Sequence, residues 1–167
     1  MAHRRRYTEE ELREFETRWN IVLPKLYRTF LKIVGCTGTA GLMRLDEWQS
    51  PHDPEDFESD FLSTQFPHRL AWNDRSLKRS DSGFGSPYHS DDLWRGSLRI
   101  RNTGCEGYDI LVVSGPCAGE VWHDDRICSG GGIFPLGISL SLYLSLAAFG
   151  IRKQLNQSAT ANALDLT

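Results

Sequence analysis

What the chain lacks narrows its chemistry first. None of its four cysteines, Cys36, Cys105, Cys117 and Cys128, forms a Cys-x-x-Cys pair, so the close ligand pairs of a zinc ribbon are missing. No glycine-rich segment carries the Lys-Ser/Thr of a phosphate loop or the spacing of a dinucleotide fingerprint; Gly130-Gly131-Gly132 runs straight into Ile133. Positive charge is not in excess. Nineteen Lys and Arg face 22 Asp and Glu, a net charge of -3, which disfavours direct nucleic-acid binding despite the basic start Arg4-Arg5-Arg6. The most apolar stretch, residues 133–151, is broken by Pro135, Gly137, Gly150 and several serines, so it reads as a buried helix and not a bilayer span. Residues 1–20 hold no apolar segment of the signal-peptide kind. These absences predict a cytoplasmic protein with reduced thiols, no membrane association, no metal and no cofactor.

What the chain does have is a change of pattern along its length. Thr8-Glu9-Glu10-Glu11 is a capping box, and Leu12, Phe15 and Trp19 follow at helical spacing, which predicts a helix over 8–19. Pro24 suits the start of a second helix, Leu26, Tyr27, Phe30, Leu31 and Val34 line one face of it, and Gly35 ends it. Short strands are predicted at 42–45 and 66–74, and residues 75–91 read as a long surface loop. In 96–101, Leu98 and Ile100 alternate with Ser97, Arg99 and Arg101, which predicts a half-buried strand with a basic outer face, closed by a turn at 102–104. The continuous apolar run 110–113 predicts a central strand covered on both faces. Ser114-Gly115-Pro116 turns the chain into a further strand at 119–123, with Trp122 in the core. A closing helix is predicted over 139–155, with Leu140, Tyr143, Leu144, Ala147, Ala148 and Ile151 inward. Helices, then strands, then a helix is an α+β order in a single domain over 8–155, with flexible ends at 1–7 and 156–167.

The segment 104–125 carries Cys105, Cys117, His123 and several acids, and raises the question of a thiol hydrolase. A cysteine nucleophile needs a nearby base and a lowered pKa. Cys105 sits beside Glu106 and Cys117 in a Pro-Cys-Ala-Gly turn, and neither setting favours a thiolate. Asp109 with Asp124 and Asp125 makes a conceivable carboxylate pair, but turn acids are usually only solvated. The segment is therefore read as a structural hairpin, and no residue is assigned a catalytic role.

The stronger signal is acidic. Residues 46–60 hold Asp46, Glu47, Asp53, Glu55, Asp56, Glu58 and Asp60 and no Lys or Arg. Most such runs are solvated loops. The functional alternative is that the carboxylates face a basic partner, with Trp48 and Phe57 as apolar anchors inside the run. Trp72 and Asp74, just beyond, complete the expected partner-binding set; Trp94 also lies near a loop, where an exposed indole anchors partners well.

A family resemblance adds to this. "LPKLYRTFLKIVG" (residues 23–35) resembles the Leu-Pro-x-x-Tyr-x-x-Phe-Leu helix that opens domains of the SUKH superfamily, the Smi/Knr-like family. "GCEGYDILVVSGPCAGEVWHDD" (104–125) is similar to that family's later strand pair, in which an apolar strand leads to Gly-x-Val-Trp. "FPHRLAWND" (66–74) and the closing apolar helix fall in the family's order, so the likeness spans residues 8–155. It rests on Leu23, Pro24, Tyr27, Phe30, Leu31, Gly119, Val121 and Trp122. The resemblance implies a curved, mostly antiparallel sheet flanked by N-terminal and C-terminal helices, with no shared catalytic residues. It also implies partner binding. Many bacterial members are immunity proteins that neutralise toxins, often nucleases, and the yeast members regulate cell-wall synthesis through partners. The expectation is thus an immunity protein for a basic, nuclease-like toxin. A regulatory or scaffold domain without a toxin is the alternative, and a thiol hydrolase the remaining one.

Overall fold

The computed structural model describes residues 4–38, 41–49, 57–77, 86–105, 107–127 and 131–148. Asp53, Glu55, Asp56 and Cys128, the stretch 78–85, the end of the closing helix and the tail 156–167 lie outside the described residues.

Local chemistry sets the first two helices. Thr8 caps α1 (Glu9–Trp19): its Oγ1 accepts from the Glu11 N–H at 3.2 Å, and its own N–H donates to Glu11 Oε2 at 2.8 Å. Asn20 closes the helix in the left-handed conformation. Pro24 precedes α2 (Lys25–Ile33), whose Tyr27 and Leu31 are buried. Arg28 ties the helices together, with two bonds of 2.8 Å to the Glu9 carboxylate and longer ones to Glu16. The Glu16 carboxylate also accepts the Leu23 N–H at 2.9 Å, fixing the connection between them.

The sheet is a four-stranded antiparallel meander in the order β1 (Ser97–Gly104), β2 (Gly107–Val112), β3 (Val121–Asp124), β4 (Ile133–Pro135). Together with the flanking helices, including α3 (Leu140–Ala148), it makes a single α+β domain. Every residue of β2 is buried, as its apolar run requires of a strand covered on both faces. Trp122 on β3 is 1% exposed and packs edge-on against Phe66.

The departures from the sequence pattern have physical causes. Residues 66–74 form no strand; only Trp72 bridges to the β4 edge, exchanging backbone hydrogen bonds of 2.7 and 2.8 Å with Ile133. Two glycines admit this irregular segment. A Cβ on Gly132 would lie 2.1 Å from the Trp72 carbonyl oxygen, and one on Gly96 2.3 Å from that of Thr64. Residues 42–45 likewise supply only an isolated bridge, from Leu42 to Arg101. β4 was not anticipated, being three residues long and ending in proline. Strand β1 continues through 102–104, so the expected turn lies further on, at Cys105, whose φ is positive.

The basic outer face of β1 does not exist. Arg99 pairs with Ile110 but Arg101 with Asp109, its neighbour, so a bulge inserts one residue between the two arginines. Their cross-strand partners point to opposite faces of the sheet, and so do the arginines. Arg99 is buried at 9% exposure. The start of the chain is not free either. Arg5 and Cys36 exchange backbone bonds of 2.8 Å, and the buried Tyr7 hydroxyl accepts the Leu45 N–H at 2.9 Å.

Candidate functional site

The acidic residues that the sequence groups together are divided by the fold. Asp46 and Glu47 face arginines. Arg44 Nε lies 3.2 Å from both carboxylates, Glu47 also accepts the Arg44 N–H at 3.0 Å, and Arg5 stands 3.9 Å from Asp46. That end of the segment is close to neutral.

Glu58 and Asp60 lie elsewhere and meet acids from a distant part of the sequence. Arg95 reaches Glu58 through Nη2, Asp60 through Nη1 at 3.3 Å and Asp92 through Nε at 2.6 Å. The three carboxylates are 64–72% exposed, whereas the Arg95 side chain is 20% exposed and lies over the Phe61 ring. Asp91, also exposed, accepts the Trp94 indole N–H at 2.7 Å. Three exposed carboxylates against one guanidinium leave this patch negative. The hydrogen bond from Arg95 holds the Asp92 carboxyl below its usual pKa, and the bonds to Asp92 and Glu58 raise that of Arg95, so the Asp92–Arg95 pair stays ionised at neutral pH. Asp91 ends the stretch 75–91 that reads as a long surface loop, and Asp92 and Arg95 just beyond it carry no expectation from the sequence. The signal was present in "HSDDLWR" (89–95), where Ser90 caps a short 3-10 turn, Asp91–Trp94, and presents two acids together.

The aromatic anchors expected of this segment are core residues. Trp48 is 2% exposed and sits among Trp19 at 5.0 Å, Phe57 at 5.4 Å, Phe61 at 5.9 Å and Trp94 at 6.0 Å between ring centroids. Trp94 is fully buried, and Phe57 packs against the same cluster. An amphipathic indole next to a loop is as useful inward as outward, and four rings in mutual contact, with Trp19 against Trp48, hold it inside. Trp72 is half-buried, stacked on Tyr88 at 5.3 Å. Asp74 turns back on itself, its Oδ1 accepting from the Ser76 N–H at 3.0 Å and hydroxyl at 2.6 Å.

The sheet holds a polar row that joins Arg101, Asp109 and His123, residues weighed separately in the sequence. Arg101, Asp109, His123 and Phe134 stand side by side across the four strands. Asp109 is 3% exposed, not solvated; His123 Nδ1 lies 2.7 Å from its Oδ1, Tyr143 of α3 donates to its Oδ2 at 2.8 Å, and Arg101 is 3.6 Å away. Burial and then the Asp109 charge push the Tyr143 pKa far up, which keeps it a donor. Among the described residues no thiol or hydroxyl is bonded to the His123 ring. Cys117 points to the His68 carbonyl at 3.7 Å, and burial pushes its thiol up, away from thiolate. Cys36 is buried and pushed up to about 12, and Cys105 is exposed. Among the described residues, no group of three His, Cys, Asp or Glu is placed to hold a metal ion, and no helix is long and apolar enough to cross a membrane.

No family model, no curated protein and no solved structure matches the chain.

Proposed function

We propose that this chain is a non-enzymatic, cytoplasmic binding module, an immunity protein of the SUKH kind that neutralises a basic, nuclease-like toxin by direct binding. The observation that carries the proposal is the exposed carboxylate cluster of Glu58, Asp60 and Asp92 gathered around Arg95, with exposed Asp91 next to Asp92 in the chain. A nuclease must present Lys and Arg to hold phosphates. A cluster of fixed carboxylates competes for those same cations. Arg95 has a second effect: it holds three of the acids in one arrangement before binding, which lowers the ordering cost of the complex. The likeness of 23–35 and 104–125 to the SUKH motifs supports the same class. The raised Cys117 pKa and the absence, among the described residues, of any thiol bonded to His123 favour it over a hydrolase.

The test is kinetic. The partner is captured from the native host at low salt and identified, and its association is followed by stopped flow with the wild type and with the triple variant Glu58→Gln, Asp60→Asn, Asp92→Asn. Complementary charge raises association rates by roughly 10- to 1000-fold at low salt. The triple variant is expected to lose much of that advantage, and the difference is expected to shrink toward 1 M salt, where the Debye length is only about 3 Å. Dissociation should change less. A partner that is not basic, or an unchanged association rate at low salt, would overturn the proposal.

A further inference from the structure

The face of the sheet opposite the Asp109 row holds two buried arginines, and they differ in one respect. Arg126 is fully engaged. Its guanidinium makes two bonds of 2.8 Å to Asp124 and reaches the Tyr88 and Ser90 carbonyls at 3.0 and 2.8 Å. Arg99 has no such partners. Its charged carbon lies 4.0 Å from the centre of the Trp94 ring and 4.2 Å from that of Tyr108. Its Nε is buried without a hydrogen bond. Aromatic rings stabilise a cation through its faces but do not accept the N–H groups that lie in the guanidinium plane. A buried N–H left unused is costly, because the water it has lost is not replaced.

Two features show that this arrangement is imposed by the backbone and is not a stray side chain. The bulge between Arg99 and Arg101 is what turns Arg99 to this face, and bulges commonly re-aim a side chain beside a site. Trp94 is itself fixed, its indole N–H held by Asp91 at 2.7 Å. The rings thus fix the plane in which the guanidinium donors lie.

We infer that Arg99 is an anion-binding residue that takes a single carboxylate group. A planar carboxylate fits the plane of the fork and accepts two parallel hydrogen bonds. The tetrahedral oxygens of a phosphate would project toward the rings. Burial lowers the Arg99 pKa below the ordinary guanidinium value, but the side chain stays charged at neutral pH.

The probe is sodium acetate, titrated at constant pH and ionic strength against sodium chloride and sodium phosphate. The Arg99 Nε–H resonance is followed by NMR and the melting temperature in parallel. Acetate is expected to move the resonance saturably and to raise the melting temperature, with chloride and phosphate doing neither. Arg99→Lys keeps the charge and loses the fork, so its apparent acetate affinity should fall about tenfold or more. Arg99→Met should lose the acetate-dependent rise in melting temperature altogether. A free acid and an acidic side chain of a protein partner share this chemistry; competition between saturating acetate and the partner identifies the second source, and its absence the first. The inference is overturned if the resonance ignores acetate, if chloride moves it equally, or if Arg99→Met responds to acetate as the wild type does.

Discussion

Replacing Trp48 by alanine separates a surface anchor from a core residue most sharply. The indole is 2% exposed and touches four other rings, those of Trp19, Phe57, Phe61 and Trp94. A buried Trp removes roughly 150–250 Å² from water, and at about 25 cal/mol per Å² that is roughly 4–6 kcal/mol as an upper bound. Alanine keeps little of that area, and aromatic pairing adds to the loss. Measured losses for such truncations run about 3–5 kcal/mol, which is the expected cost here. For a domain of this size each kcal/mol moves the melting temperature by about 2–4 °C, so the fall should be roughly 6–20 °C. Urea unfolding should show a lower midpoint at unchanged slope. Trp48→Phe keeps a ring against its neighbours and should lose well under half as much. A Trp48→Ala protein with the wild-type midpoint that had lost its partner would refute the reasoning, because it would mean that the indole faces outward.

Two further outcomes follow from individual contacts. Tyr143→Phe removes the donor to the buried Asp109 and should cost about 1–3 kcal/mol in urea unfolding, since an acceptor is left unmet in the interior; no loss would mean that Asp109 is satisfied without it. Glu9 is held down from 4.5 to about 2, first by its hydrogen bond with Arg28 and then by that with Lys32. A carboxylate lowered in the folded state contributes stability above its unfolded pKa and loses it as pH falls through the folded value. Wild-type stability should therefore drop more steeply than that of Glu9→Gln between about pH 4.5 and pH 2, and parallel curves would contradict the pairing.

Much of the fold was legible because its signals are local. The capping box at Thr8, the helical spacing of Leu12 and Trp19, and the uninterrupted 110–113 run each act within a few residues, and each element formed where its pattern lay. The hairpin turn at Gly115 to Gly119 was legible for the same reason: both glycines have positive φ. What failed was set by distant contacts. Residues 66–74 alternate like a strand, yet a strand needs a free edge along its length. Here only Trp72 bridges to one, at Ile133, while Phe66 gives a single backbone bond to the Ser114 carbonyl and lies close to Gly96. The bulge in β1 left no trace in a sequence that alternates regularly, so Arg99 and Arg101 looked alike although one is stacked between rings and the other faces Asp109.

The candidate site shows the same division more severely, because charge in sequence is not charge in space. Seven acids within 46–60 suggested one repelling loop. The chain instead supplies arginines from outside that window: Arg44 and Arg5 for its beginning, Arg95 for its end. At the first place the pairing cancels the charge. At the second a single arginine serves Glu58 and Asp60 and brings in Asp92, so the acidity is concentrated and ordered there, not cancelled. Ion pairs this exposed add little to stability. Their consequence is positional: removing the guanidinium should leave the fold intact while letting the carboxylates separate. A partner that recognises only net charge would then bind an Arg95→Met protein more strongly. A partner that recognises the arrangement would bind it more weakly, and that sign distinguishes a solvated acidic surface from a shaped one.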